Sequence, residues 1–240
     1  MVFPAISGTI DRRILINFQV DPDVVARYLP APFRPKVVAE KAIVGVCLIR
    51  LDHVRLKGLP AVLGISSENG AHRIAVDWEE AGVTKEGVFV PRRDTSSLLN
   101  AMAGGRVFPG THHRAAFDVQ EGDGRYVVAF RSEDGTSLAI DARDTSIWDK
   151  SSVFPDLNAA SQFMRRGSLG YSPARDAGAF DGLELRTASW EISPLDVSDV
   201  TSSFFMDRSV FPEGSIRFDS ALVMKNIDHE WHAAPMLKLK

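Results

Sequence analysis

The chain has 240 residues, of which 45% are hydrophobic and 25% are charged, and 28 basic against 31 acidic side chains give a net charge of −3. A single domain of this length buries roughly 70 to 75% of its unfolded surface, so a sizeable core needs no disulfide or metal. The basic residues occur as scattered doublets and not as one broad positive face, which argues against nucleic acid as a partner.

The only cysteine, Cys47, lies in the apolar run from 42 to 49. A single cysteine excludes an intrachain disulfide and favours a reducing compartment. The run predicts buried packing for this thiol, and not the electropositive, partly open setting of a nucleophile. No stretch approaches the ~18 consecutive apolar residues of a membrane span, and the first residues lack a secretory signal pattern. We therefore expect a cytoplasmic protein with no membrane partner.

In the first half of the chain, strands alternate with helix signals. Strands are predicted, in order, over residues 13–20, 41–56, 72–79 and 87–90. Asp21 caps a short helix that has Pro22 in its first turn, where the missing N–H costs nothing. The last two strands form a predicted hairpin around a turn at 82–87. A second helix follows, capped by Asp94 or Thr95 and ended by the glycines at 104 and 105.

The second half predicts a meander, then a helix, then two more strands. The predicted strands cover residues 114–120, 125–131, 136–142, 183–192 and 216–223. Glycine and aspartate in the turns 122–124 and 133–135 tolerate positive φ, which suits tight hairpins. Asp156 caps the helix and Gly167 ends it, and a helical or irregular link is expected at 197–206. No linker or repeat divides residues 1–240, so we expect one α+β domain that is mostly antiparallel β with a few short helices.

Residues 108–114, Phe-Pro-Gly-Thr-His-His-Arg, gather several reactive groups. His112 and His113 titrate near neutral pH and could serve as an acid, a base or a ligand. Neighbouring residues of a strand point to opposite faces, so only one imidazole is expected to face a cavity, and which one is left open. The alternative is one exposed histidine and one packed polar side chain.

Glu68 is a second candidate for acid–base chemistry. Desolvation in a closed apolar pocket raises the pKa of a carboxyl group and lets it carry a proton near neutral pH. The triplet Glu68-Asn69-Gly70 also has turn composition, so an ordinary turn is the alternative. Arg73 could neutralise Glu68 or hold a substrate carboxylate through two hydrogen bonds, and Arg106 is another candidate anion anchor.

The C-terminal segment His229-Glu230-Trp231-His232 carries two imidazoles three residues apart. On a helix both would lie on one face and could share a metal ion with a neighbouring carboxylate. The segment lies in a β-like tail, where that spacing puts them on opposite faces, so we expect no metal site there.

The order and spacing of these motifs resemble the acetoacetate decarboxylase-like superfamily. In that family an aromatic-proline pair like that at 108–109 is followed by two lysines, one of which forms a Schiff base with the keto substrate. Here those positions are Gly110 and Thr111, and neither residue has the amine that a Schiff base needs. The triplet at 67–69 is similar to the segment that carries a pocket glutamate, which gives Glu68 that role by resemblance.

Other segments extend the resemblance over nearly the whole chain. The early segments are 17–23 and 29–32, and the later ones include Phe163, Arg166, Tyr171, Trp190, Pro194, Phe211-Pro212 and Asp219-Ser220. The later residues resemble a bacterial branch known only as a domain of unknown function, DUF2071. The decarboxylase also has an arginine at the start of its first strand, and Arg12 and Arg13 are both left open for that position.

The resemblance implies antiparallel sheets curved into a cone or barrel around an internal cavity. We expect a protein that binds an oxo or carboxylate metabolite with no cofactor and no Schiff-base lysine, and we leave homo-oligomers open. The expected ligand-binding residues are Arg73, Arg106, Phe108 and Thr111. The alternative is an acid–base enzyme of the lyase or hydratase type that uses Glu68 with His112 or His113.

Overall fold

The computed structural model describes residues 5–98 and 109–239, and this part of the chain is mostly β-strand. In chain order its elements are β1 (Ile6–Val20), α1 (Pro22–Tyr28), β2 (Arg34–Pro35), β3 (Val37–Val38), β4 (Lys41–Leu56), a 3₁₀ turn (Ala61–Leu63), β5 (Ile65–Glu80), β6 (Val83–Thr95), β7 (His112–Gly122), β8 (Arg125–Ser132), β9 (Ser137–Asp144), α2 (Leu157–Arg166), β10 (Leu169–Pro173), β11 (Ala179–Thr187), β12 (Ser193–Ser202) and β13 (Ile216–Lys238). The predicted class, α+β with mostly antiparallel strands and short helices, is confirmed.

All thirteen strands of the described residues belong to one mixed sheet. Its order is β11-β10-β6-β7-β8-β9-β12-β13-β1-β4-β5-β2, with β3 beside β4. The pairings of β6 with β7 and with β10 are parallel, and the other pairings are antiparallel. Two further pairings, β5 with β6 and β11 with β13, bring the sheet back on itself. The expected curved sheet is therefore present, as strands that close into a ring.

The long central strands are buried on both faces, which explains their nearly continuous apolar sequences. On one face, Ile14 and Ile16 of β1 belong to the largest apolar cluster. On the other face, Leu15 packs with Ala160 and Met164 of helix α2 in a second cluster. Helix α2 starts where the Asp156 carboxylate accepts a hydrogen bond from the Ala159 N–H at 2.7 Å. The sheet thus separates two environments, and side chains one residue apart enter different ones.

Several predicted boundaries are wrong. The turn predicted at 82–87 is a tight turn at Ala81 and Gly82, with φ of 51° and 77°, and β6 starts directly after it. The predicted link at 197–206 begins as strand β12, because residues 195–202 pair with β9. The strand predicted at 183–192 runs from 179 to 187 and pairs with β13.

The predicted helix after β6 lies mostly outside the described residues. Asp94 and Thr95, its predicted caps, are the last residues of strand β6. A strand assignment here is a tertiary effect, since both residues pair with β5 on one side and β7 on the other. Among the described helices, none is both long enough and apolar enough to cross a membrane.

Candidate functional site

Three arginines lie on the side of the sheet that faces helix α2, and we call Arg13, Arg73 and Arg93 the arginine cluster. Cys47 pairs with Ala71, and Ala71 pairs with Arg93, so the three share one face. Arg73 is two residues beyond Ala71 and returns to that face. Arg13 joins them from β1, because its Nη2 lies 3.6 Å from the Cys47 Sγ.

A cavity of about 60 Å³ opens beside Arg93 and His112. The other residues that line it come from β4, β5, β6, β11 and β13 and are mainly apolar: Ile49, Leu51, Val54, Asn69, Gly70, Ala71, Asp94, Leu183 and Trp231. Such a cavity has an apolar body and a few polar residues. This composition is typical of a site for a small organic ligand.

Arg93 is the cationic group of this cavity. Its Nη2 donates to the Ser172 Oγ at 3.3 Å, whereas its buried Nε has no hydrogen-bond partner in the described part of the chain. No carboxylate within the described ranges forms an ion pair with it. Burial lowers the pKa of Arg93 to about 10, so the group remains charged at neutral pH. A buried guanidinium group that lines a cavity and keeps an unpartnered N–H is suited to an anionic ligand.

His112 pairs with Arg93 across β6 and β7. Its Nδ1 lies 3.2 Å from the Gly110 carbonyl oxygen, so Nδ1–H donates there in the neutral form. Burial lowers the pKa of His112 to about 4, and the charge of Arg93 acts in the same direction. The imidazole is therefore neutral at physiological pH. His113 lies on the opposite face, with its Nδ1 3.7 Å from the Asp134 carboxylate.

Glu68 lies within strand β5, so its interpretation as a turn residue is wrong. Its carboxylate pairs with the Arg12 Nη2 and the Arg50 Nε, each at 2.6 Å. Arg73, five residues along the strand, faces the other way and does not neutralise it. Glu68 and His112 are thus on opposite faces of the sheet, so the structure does not bring this pair together, whereas His113 is on the same face as Glu68. Arg12 belongs to the Glu68 ion-pair cluster, which leaves Arg13 on the cavity side.

The environment of Cys47 differs from the one that we expected. Its Sγ accepts hydrogen bonds from the Arg73 Nε at 3.2 Å and from the Arg13 Nη2. Burial alone would raise the pKa of Cys47, but the two guanidinium groups outweigh this and the net change is a lowered pKa. The prediction of a setting without positive charge is wrong, because the cations come from β1 and β5 and are not visible in the local run.

The backbone at Gly110 leaves no room for a lysine. Its φ is +81°, and a Cβ there would lie 2.8 Å from the Ser172 Cβ. Thr111 is exposed, and Arg106 and Phe108 lie outside the described residues. A separate cavity of about 10 Å³ beside Arg13 and Arg73 is lined by one lysine, Lys36. Lys36 forms an ion pair with Glu86.

The C-terminal histidines do not converge. His229 is buried, whereas His232 lies 2.8 Å from the Glu230 carboxylate. Across residues 5–98 and 109–239, no group of three or more His, Cys, Asp or Glu side chains could hold a metal ion. The functional feature that sequence reasoning missed is the Arg13, Cys47 and Arg93 face. The doublets at 12–13 and 92–93 were its only signal, because one member of each doublet must point inward.

Solved structures with the same fold cover almost the whole chain. An acetoacetate decarboxylase-like enzyme from Sphingomonas wittichii RW1 has a TM-score of 0.62 at 11% identity, over 100% of this chain and 94% of that chain. The acetoacetate decarboxylase of Legionella pneumophila has 0.61 at 10%, over 98% and 88%. The enduracididine biosynthesis enzyme MppR complexed with pyruvate has 0.60 at 11%, over 100% and 91%.

These identities show a shared fold and leave the activity open. No curated protein matches the chain. The model of one family, DUF2071, matches residues 8–219 and carries the description "Uncharacterized conserved protein". The chain therefore belongs to the DUF2071 family, and its fold is that of the acetoacetate decarboxylase-like proteins.

Proposed function

We propose that the protein binds a small organic carboxylate, without a covalent bond, in the cavity beside Arg93 and His112. The observation that carries this proposal is Arg93, which lines that cavity and whose buried Nε has no hydrogen-bond partner in the described residues. A guanidinium group recognises a carboxylate through two parallel hydrogen bonds, and burial strengthens them.

The size and walls of the cavity define the ligand further. About 60 Å³ of free space has room for about four to six water-sized groups, because one water needs roughly 10 to 15 Å³. The apolar residues around it, including Leu51 and Val54, favour a short hydrocarbon or oxo chain over a sugar or a nucleotide. A monocarboxylate of two to four carbons, such as a 2-oxo acid, fits both conditions. MppR, which shares the fold, has been solved with pyruvate.

The position of the amines supports binding without a Schiff base. Gly110 and Thr111 have none, and Lys36 is engaged by Glu86. Incubation with a 2-oxo acid and borohydride should therefore leave every lysine unmodified in mass spectrometry. A covalently trapped lysine would refute this mode of binding.

The proposal predicts that Arg93 determines affinity. Calorimetric titration with pyruvate should show binding to the wild type, and Arg93→Met should weaken it on the order of 10- to 100-fold, since a charged hydrogen bond contributes about 1.5 to 3 kcal/mol. Arg131→Met, at an exposed position on β8, is the matched control and should bind as the wild type does. Unchanged affinity in a folded Arg93→Met variant contradicts the proposal.

An acid–base activity in the same cavity is a second candidate, favoured by the neutral imidazole of His112 beside Arg93. A neutral histidine near a bound oxo acid could remove a proton from the carbon next to the carbonyl. Deuterium incorporation into bound pyruvate, followed by NMR, tests this step. The exchange should disappear in His112→Gln and persist in Glu68→Gln, because Glu68 faces the other side of the sheet.

A further inference from the structure

We propose that Cys47 is a buried thiolate that reacts with small hydroperoxides, with Arg13 and Arg73 holding the sulfur as an anion. This modification site is separate from the carboxylate cavity and does not depend on the function proposed for it. Three independent features carry the inference: the contacts of the sulfur, the charges around it and an unpartnered donor at a small cavity.

The contacts of Cys47 are those of an acceptor. Its Sγ accepts hydrogen bonds from the Arg73 Nε at 3.2 Å and the Arg13 Nη2 at 3.6 Å, and Cys47 is only 4% exposed. The second Arg73 nitrogen, Nη2, donates to the Asn17 Oδ1, which fixes the plane of that guanidinium group. A sulfur between two charged donors is stabilised as a thiolate, which is the nucleophilic form of cysteine.

The charges that face Cys47 from the neighbouring strands are all positive. They are Arg13 on β1, Arg73 on β5 and Arg93 on β6, and helix α2 contributes the apolar Ala160 and Met164. In the described residues, no carboxylate forms an ion pair with any member of the arginine cluster. A buried cation without an anion is costly, so the thiolate is the counter-charge that this face has. The lowered pKa of Cys47 agrees with this arrangement.

Arg13 adds an unpartnered donor. It is 8% exposed, and its Nε and Nη1 have no hydrogen-bond partner among the described residues. Arg13 and Arg73 also line the cavity of about 10 Å³, which has room for one water-sized molecule. Arg13 thus brings two unpartnered donors beside its contact with the sulfur, and the cavity that it lines has room only for the smallest member of the hydroperoxide class.

The chemistry balances without a cofactor. The thiolate attacks one oxygen of hydrogen peroxide, so that an S–O bond forms as the O–O bond breaks. The sulfur is oxidised to sulfenic acid, and the peroxide is reduced, its second oxygen leaving as hydroxide. The free Nε and Nη1 of Arg13 can donate to that leaving oxygen, where negative charge develops.

The test uses the wild-type chain, whose only thiol makes every signal assignable. Native protein is treated with hydrogen peroxide at neutral pH, quenched with catalase and unfolded in dimedone, which tags sulfenic acid for mass spectrometry. Oxidation of Cys47 should be on the order of tenfold faster in the native protein than in the urea-unfolded chain. A bulky hydroperoxide, such as cumene hydroperoxide, should react more slowly than hydrogen peroxide with the native protein.

Two variants separate the arginines from general burial. Arg13→Met should slow the oxidation about tenfold and reduce the ultraviolet thiolate absorbance at neutral pH, whereas the exposed Arg131→Met should change neither. If Arg13→Met does not fold, the oxidation rates of Cys47 in the native and the unfolded wild-type chain still test the proposal. Native oxidation no faster than that of the unfolded chain, or equal rates with the two hydroperoxides, overturns the proposal. Loss of pyruvate binding in Arg93→Met does not bear on it.

Discussion

Adjacent arginines in this protein have opposite surroundings. Arg12 is 2% exposed and pairs with Glu68 and Glu121, each at 2.6 Å. Arg13, the next residue, lies on the other face. It contacts the Cys47 sulfur, and its guanidinium carbon lies 5.9 Å from the centre of the Trp190 ring. The alternation of a strand thus gives one arginine two carboxylates and gives the other a sulfur and an aromatic ring.

His112 should make the folding stability of the protein depend on pH. Its pKa in the folded protein is about 4, below the ordinary value of 6.5. Between these two pH values His112 is protonated in the unfolded chain and neutral in the folded protein. The contribution of His112 to stability should be constant above about pH 6.5 and should fall as the pH drops towards 4. In His112→Gln, the loss over that window should be smaller by on the order of 1 to 3 kcal/mol.

Urea unfolding at a series of pH values measures this difference. His229 provides a parallel case, because burial lowers its pKa to about 4 as well, and His229→Gln should change the slope in the same direction. Identical slopes in the wild type and His112→Gln would mean that the imidazole of His112 is not buried in solution.

Among the elements, the pairing of β1 with β4 depends on one close approach. A Cβ on Gly45 would lie 2.0 Å from the Ile16 carbonyl oxygen, which belongs to the backbone and cannot move aside. Gly45→Ala should therefore destabilise the protein by about 3 kcal/mol, the upper range for overpacking. Thermal unfolding should show this loss, whereas Gly122→Ala, which meets no atom within 4 Å, should change stability by less than about 0.5 kcal/mol. Equal effects of the two changes would contradict the observed register.

The elements also show what the sequence could predict. The strand over 41–56 was predicted with its observed bounds, because its apolar run is long and both its faces are buried. The predicted position of the turn after β5 is wrong because Ala81 adopts a positive φ, a conformation that alanine rarely adopts and that the sequence therefore does not indicate. The face of the sheet on which a side chain lies follows from the two-residue period of a strand. Its partners on other strands depend on the register between the strands, which no local pattern contains. The sequence therefore does not predict the charged surroundings of Cys47.

For the molecule as a whole, the Glu68 cluster connects distant strands. Glu68 on β5 binds Arg12 on β1 and Arg50 on β4, and both arginines also contact Glu121 on β7. Removing the Glu68 carboxylate leaves the buried charge of Arg12 with Glu121 as its one remaining ion-pair partner among the described residues. Glu68→Gln should lower the free energy of unfolding by about 2 to 3 kcal/mol.

This change should leave pyruvate affinity as in the wild type, because Glu68 and the cavity are on different faces. Glu184→Gln is a matched control. The Glu184 carboxylate also pairs with an arginine, Arg186, but both residues are on β11 and the pair is exposed. It should cost less than about 1 kcal/mol. Weaker pyruvate binding in Glu68→Gln, with unchanged stability, would return Glu68 to the role that the family resemblance gave it.

The closure of the sheet also affects how copies of the protein can meet. Within residues 5–98 and 109–239, every strand of five or more residues has neighbours on both sides for at least part of its length. Where β7 continues past its short contact with β6, it carries the exposed acidic residue Asp118. In the described residues the open edges are thus stretches of strands that have a second neighbour elsewhere, such as 115–122 of β7. Any self-association should be built from side-chain packing, and the fold should resist assembly into fibrils.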